Sequence, residues 1–288
     1  MHQRPSYKRI ETVPFNTDKF FSYENFVSAL NYKVKDDDLF IVSYPKCGST
    51  WTQYIVYLIL HNGIPLDGNH KMSEFIPFFE QDGIEAVEKL SSPRVMKTHL
   101  PYDMIPKNSN AKYIFVARNP KDCAVSFYYH TKGFQDAYNY SNGKFDDYFE
   151  LFINGEVDFG CYFKHLLSWL PHLSDKNVLF LTYESMKRDP KSSVLSIANF
   201  INNKYTCLLI EKNEILQNII NYSDVETMKN EDDRWYMSRR VDNTKFVRKG
   251  IVGDWKSHLS EEQSKRIDNK IEKNLLGNHI LELWKNDL

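Results

Sequence analysis

The sequence lacks a long hydrophobic run, is poor in cysteine and carries almost no net charge, and each shortage excludes something. Its longest candidate span, Tyr54–Leu60, falls far below the ~20 apolar residues a bilayer requires, so no membrane partner is expected. Met1 to Pro5 hold no apolar core, and no secretory leader is predicted. Four cysteines occur in 288 residues, at 47, 123, 161 and 207, never in Cys-x-x-Cys spacing. That argues against a disulfide framework or a zinc knuckle and fits a reducing, cytoplasmic compartment. A formal net charge of −1 gives no global attraction for nucleic acid, so any basic site must be local. Internal repeats, low-complexity blocks and Pro/Gly/Ser linkers are also missing, and residues 1–288 read as one domain. Aromatics are what the chain has in quantity: 15%, with 18 Tyr and 19 Phe. They could line a pocket, although an aromatic-rich core explains the composition as well.

Short apolar runs alternate with helical patterns. Leu39–Ser43, Arg94–Lys97, Tyr113–Ala117 and Val178–Thr182 read as strands, and helices are predicted at Thr50–His61, Asp122–His130, Phe159–Leu170 and Ser192–Ile201. The alternation predicts an α/β fold, a central parallel sheet flanked by helices, with ligands at the carboxyl ends of the strands. Asn221–Arg248 is polar and irregular and reads as a loop or lid. Residues 261–288 are taken as a C-terminal helical segment, beginning with a surface helix at Glu261–Asn274.

The chemistry concentrates at strand ends. An apolar run from Phe40 enters Tyr44-Pro45-Lys46-Cys47-Gly48-Ser49-Thr50-Trp51 and continues as a helical pattern. Strand, tight turn and helix form an anion site: glycine admits the ligand to the backbone and the helix N-terminus contributes partial positive charge. Lys46 adds a cation, and Ser49 and Thr50 add hydroxyls. The lysine precedes the glycine, so this is not a Walker loop. A second strand ends in Arg118-Asn119-Pro120-Lys121-Asp122, with Ser126 following on the predicted helix; an arginine fork and a serine hydroxyl suit a phosphate. A third string, Arg248-Lys249-Gly250-Ile251-Val252-Gly253-Asp254-Trp255-Lys256, can wrap another. Lys97-Thr98-His99 ends a strand with Lys97 and His99 on one face, and histidine can accept a proton near neutrality.

From about Phe15 to Lys256 these strings, in this order, resemble the cytosolic sulfotransferases. The first is similar to that family's P-loop-like 5′-phosphosulfate loop, usually Tyr-Pro-Lys-x-Gly-Thr-Thr-Trp, and the second and third to its 3′-phosphate segments. The resemblance implies 3′-phosphoadenosine 5′-phosphosulfate as donor, adenosine 3′,5′-bisphosphate as product, and no metal. It implies a nucleotide site from 44–51, 113–126, 183, 222–228 and 248–250, with Arg118, Ser126, Arg248, Lys249 and Gly250 on the 3′-phosphate. Tyr183, Ser223 and Met228 fall at adenine positions, with Trp51 able to stack on the base. Val225 stands where the family has phenylalanine, which removes an aromatic face. His99 becomes the general base, Lys46 the partner of the leaving phosphate, and Lys97 the support of the sulfonate oxygens. Cys47 replaces a serine or alanine, either as passive packing or as an oxidisable thiol.

The acceptor is expected to be small and lipophilic, a phenol, sterol or other alcohol, or an amine. Phe15, Phe20, Phe75, Phe78, Tyr128 and Trp235 are candidate pocket walls. The family's dimer segment is altered here, with Lys256, Ser260-Glu261 and Lys265 at its positions, so monomer and homodimer both remain open. A non-catalytic nucleotide or hydrophobic-ligand binding protein of the same fold is the alternative, and a P-loop kinase a more distant one.

Overall fold

In the computed structural model, residues 3–10, 13–16, 21–235, 244–275 and 284 are described. A short hairpin, β1 (Tyr7–Ile10) against β2 (Val13–Asn16), precedes the main sheet. That sheet has four parallel strands, β3 (Leu39–Ser43), β4 (Val95–Thr98), β5 (Lys112–Ala117) and β6 (Val178–Thr182), in the order β4-β3-β5-β6. The period of two sorts the side chains of β3: Phe40 and Val42 enter one core, and Leu39 and Ile41 the other. Both faces are therefore covered, as parallel sheets require. The helix Ser49–Leu60, buried along most of its length, joins Pro190–Ile201 and Asn213–Tyr222 on one face. Helices Pro120–Gly133, Phe145–Asn154 and Tyr162–Trp169 build the aromatic core on the other.

The chain leaves β3 for one edge of the sheet and then returns to place β5 on the other side of β3. Loops leaving β3 and β5 diverge there, which opens a crevice at their carboxyl ends. The four predicted strands lie where expected, with β4 one residue later than read and β5 beginning one residue earlier. The helices depart further from the reading, and Ser192–Ile201 already begins at Pro190. Pro120–Gly133 is longer than predicted at both ends, because Asn119 caps it by accepting from Lys121 N–H and Pro120 opens its first turn. The helix predicted from Phe159 begins only at Tyr162, because Phe159 (φ 61°) and Gly160 (φ 74°) take left-handed conformations that no helix continues. The stretch read as a lid contains a helix, Val225–Asn230, capped by the Asp224 side chain on Glu226 N–H. Asp232 then accepts from Phe246 and Val247 N–H at 2.8 Å each, pinning the returning chain; residues 236–243 of that stretch lie outside the described residues.

Candidate active site

Between β3 and the helix Ser49–Leu60 the backbone turns through Lys46 (φ 67°) and Gly48 (φ 106°). A Cβ at Gly48 would sit 2.9 Å from Tyr183 Cδ2, so glycine is needed for both conformation and space. No side chain caps this helix, which leaves its first-turn N–H groups to an anion. Gly48, Ser49, Thr50 and Trp51 line the main pocket. Cys47 points away from it, fully buried, with its Sγ 3.7 Å from Cys123 Sγ. Burial, then Cys123, raises its pKa well above the ordinary thiol range, which favours packing over reactivity.

Arg118, at the end of β5, is buried over the Tyr183 ring, 4.2 Å from its centroid. Its Nη1 donates to Lys46 O at 3.2 Å and its Nη2 to Ile251 O at 3.1 Å, tying the loops after β3 and β5 to the C-terminal segment. Asp122 completes the tie: its carboxylate accepts from Gly253 N–H at 2.7 Å and Trp255 N–H at 3.0 Å. Arg248 and Lys249 are held on Asp254 at 2.5 and 2.6 Å. Gly250 (φ 65°) packs so closely that a Cβ would meet Val225 Cγ2 at 2.3 Å. Nε of both Arg118 and Arg248 is buried without a hydrogen-bond partner. Arg118, Ser126, Arg248, Lys249 and Gly250 all line the pocket.

Trp51 and Tyr183 meet edge to face, centroids 5.5 Å apart, and Ser223, Val225 and Met228 join them along the pocket. The Ser223 hydroxyl donates to Ile219 O at 2.7 Å, which fixes its orientation.

His99 stands just past β4, its ring against Phe78 and Phe159 with centroids 5.1 and 5.2 Å away. Nδ1 lies 2.7 Å from Ser43 O. A carbonyl only accepts, so the proton sits on Nδ1 and Nε2 keeps its lone pair. Burial, reinforced by Lys97, holds the imidazole pKa well below its ordinary value, so the ring is neutral. Glu80 fixes the backbone: its Oε1 accepts from His99 N–H at 2.7 Å. Nearby, Lys97 Nζ lies 4.3 Å above the Phe78 ring and Lys46 Nζ 4.1 Å from Phe246. Burial lowers Lys97 to about 8. Burial, with Lys97, Arg118 and Arg248, lowers Lys46 to about 7.

The candidate wall residues disperse. Phe78 lines the main pocket. Phe75 packs on Tyr57 at the outer side of the second core. Tyr128 is buried against Tyr148 with its hydroxyl on Gly143 O. Trp235 packs on Tyr54 and donates to Met228 O. Phe15 lies in β2 and its side chain, like the whole of Phe20, lies outside the described residues. Phe127, His130, Tyr138, Asp158, Phe159 and Phe246 line the pocket unforeseen. Of these, only Phe159 carried a local signal, its place beside Gly160.

A sulfotransferase domain family matches residues 36–279 of the chain. Sulfotransferase 1C2 of Homo sapiens is 33% identical over 272 residues, covering 89% of each chain. Sulfotransferase 1B1 of Canis lupus familiaris is 35% identical over 275 residues, covering 88% of each. Among solved structures, a mouse sulfotransferase, SULT7A1, complexed with PAP superposes with a TM-score of 0.76 at 27% identity, over 97% of this chain and 98% of that one. Retinol dehydratase in complex with androsterone and PAP has the same fold, with a TM-score of 0.78 at 22% identity over 95% and 90% of the two chains.

Proposed function

The chain belongs to the sulfotransferase family, and from that premise we propose that its pocket moves a sulfuryl group from 3′-phosphoadenosine 5′-phosphosulfate to a hydroxyl or amine of a small lipophilic acceptor. The observation that carries this reading is the convergence of three separate cationic segments on a neutral histidine in one pocket. The nucleotide's anionic groups fit what is there. Buried Nε atoms of Arg118 and Arg248 lack partners, and the cradle at Gly250 admits no side chain. Ser126, Arg118, Arg248 and Lys249 would hold the 3′-phosphate, and the N–H groups at Gly48 to Trp51 with the Thr50 hydroxyl the 5′-phosphate. Tyr183, Ser223 and Met228, with Trp51, would face the base. The mouse relative solved with PAP supports the same nucleotide class here. Bound, the nucleotide supplies the activated sulfuryl group.

The chain's own residues do the rest by positioning and electrostatics. His99 Nε2 takes the acceptor's proton while Ser43 O holds the opposite nitrogen. Lys46 offsets negative charge on the departing phosphate, and Lys97 steadies the sulfonate oxygens. Aromatic walls at Phe78, Phe159 and Phe246 keep water from the reacting atoms.

The test is transfer from ³⁵S-labelled nucleotide to a panel of phenols, sterols, alkanols and amines, beside His99→Ala. The variant is expected to lose roughly 10²- to 10⁴-fold in turnover and to keep its affinity for adenosine 3′,5′-bisphosphate. Nucleotide binding with no product from any acceptor would point to a non-catalytic binding protein. Unaltered turnover in the variant would remove His99 as the base.

A further inference from the structure

In the main sheet β4 is an edge strand, so its outward N–H groups need partners from beyond the sheet. Lys97 N–H has one: it donates to Pro77 O at 2.9 Å, and Phe78 pairs with Lys97 in an isolated parallel bridge. By the period of two, the next outward N–H is that of His99. Had the extended stretch at Pro77 and Phe78 continued, Phe79 O would meet it. Phe79 instead opens the helix Phe79–Glu88, whose first turn uses Phe78 O for the N–H groups of Gln81 and Asp82. The Glu80 carboxylate, fully buried, takes the vacant place and accepts from His99 N–H at 2.7 Å. The same stretch sets the Phe78 ring against His99 and under Lys97 Nζ.

His99 is held from two sides, its ring by Ser43 O of β3 and its backbone by Glu80 of the helix. Resting on the sulfotransferase reading, we propose that Glu80 is a positioning residue for the reaction, a side-chain substitute for a strand partner that acts through the backbone of His99. Its contribution is an accepting oxygen at one place rather than a charge. Burial pushes the carboxyl up to about 7, so loss of the charge is a small step. Loss of the oxygen is a large one, because a buried N–H without a partner makes the backbone turn toward another. That turn carries Nε2 away from the hydroxyl it must deprotonate, and a misplacement of about 1 Å costs on the order of 10²-fold in rate.

Three substitutions separate the oxygen from the charge. Glu80→Gln keeps the oxygen in reach and removes the charge, Glu80→Asp keeps the charge on a side chain one methylene too short, and Glu80→Leu removes both. For each, kcat is measured with an acceptor that the native protein turns over in the panel above, beside affinity for adenosine 3′,5′-bisphosphate. The imidazole resonances of His99 are followed in histidine-labelled protein and assigned against His99→Ala. Glu80→Gln is expected within about threefold of native kcat, and Glu80→Asp and Glu80→Leu to lose roughly tenfold or more, with nucleotide affinity held within about twofold throughout. The His99 resonances should move in the last two variants and stay in the first. Native kcat in Glu80→Leu or Glu80→Asp, Glu80→Gln as impaired as Glu80→Asp, or a parallel loss of nucleotide affinity in every variant overturns the proposal. Should Glu80→Leu not fold, Glu80→Gln against Glu80→Asp decides it. Absence of transfer by the native protein would count against the reaction, while the resonances, kept in Glu80→Gln and displaced in Glu80→Asp, would still uphold the placement of His99 by Glu80; resonances alike in the two would overturn it.

Discussion

At Lys46, burial and the neighbouring cations Lys97, Arg118 and Arg248 oppose the ammonium charge and hold the pKa at about 7. These residues are the ones proposed to hold a polyanion, and a bound polyanion would favour the charged amine. The sign follows. With the free-protein value near 7 and the bound value higher, nucleotide binding above pH 7 takes up a proton, and affinity falls as pH rises through that range. In the nucleotide-free protein the folded value lies below the unfolded 10.5, so the unfolded chain binds more protons between the two and stability rises with pH across that window. Calorimetry of adenosine 3′,5′-bisphosphate binding at pH 8, in two buffers of different ionisation enthalpy, should report proton uptake. Lys46→Met should reduce it; identical apparent enthalpies in both buffers for the native protein would rule the coupling out.

Arg248 to Gly250, proposed to hold a phosphate, belong to no regular element, yet that role would need Arg248 and Gly250 at fixed places. Their anchor is the first turn of the helix Pro120–Gly133, where Asp122 accepts two backbone N–H groups from Gly253 and Trp255. An acid at a helix N-terminus is also favoured by the macrodipole. Asp122→Ala would orphan both N–H groups and release the segment while leaving the loop at Lys46 and the imidazole of His99 in place. A tenfold or greater loss of nucleotide affinity is expected, on the order of 1.4 kcal/mol or more, with kcat at saturating nucleotide within a few-fold of native. A fall in kcat with unchanged affinity would show that the segment serves the chemistry rather than the ligand. Ser260 shows how another sequence feature resolves at this scale. At the altered dimer segment, Ser260 Oγ accepts from Gln263 N–H at 3.2 Å and Gln263 Oε1 from Ser260 N–H at 3.0 Å, a reciprocal cap that opens the helix Glu261–Leu275.

Across the molecule, what the sequence disclosed was whatever depends on local conformation. Phosphate segments need glycines and cations at fixed short spacings, so Lys46 to Trp51 and Arg248 to Gly250 could be read off, and the structure gathers them, Cys47 apart, in one pocket. The acceptor walls depend on which side of an element faces inward. Phe127 lines the pocket while its neighbour Tyr128 turns to the core, and with 37 Phe and Tyr (19 and 18) in the chain no spacing distinguishes the two fates. Asp158 was hidden for the same reason, as a charge in an irregular turn placed by Phe159 and Gly160. The pocket that results draws on chain positions from Pro45 to Gly250 and on side chains from both cores, Phe127 from one and Met228 from the other. A ligand spanning them stabilises the whole fold rather than a loop. At a concentration of 100 times its dissociation constant, adenosine 3′,5′-bisphosphate should contribute about 2.7 kcal/mol, which in a chain of this size is a melting shift on the order of 4–5 °C. On the proposed reading, adenosine 5′-monophosphate at the same concentration would reach the loop at Lys46 but leave Arg118, Arg248 and Lys249 without a phosphate, and its shift should be a small fraction of that. Equal shifts for the two nucleotides would mean that the segments at Arg118 and Arg248 do not read the 3′-phosphate, and with it would go the basis for selecting this nucleotide over others with a 5′-phosphate alone.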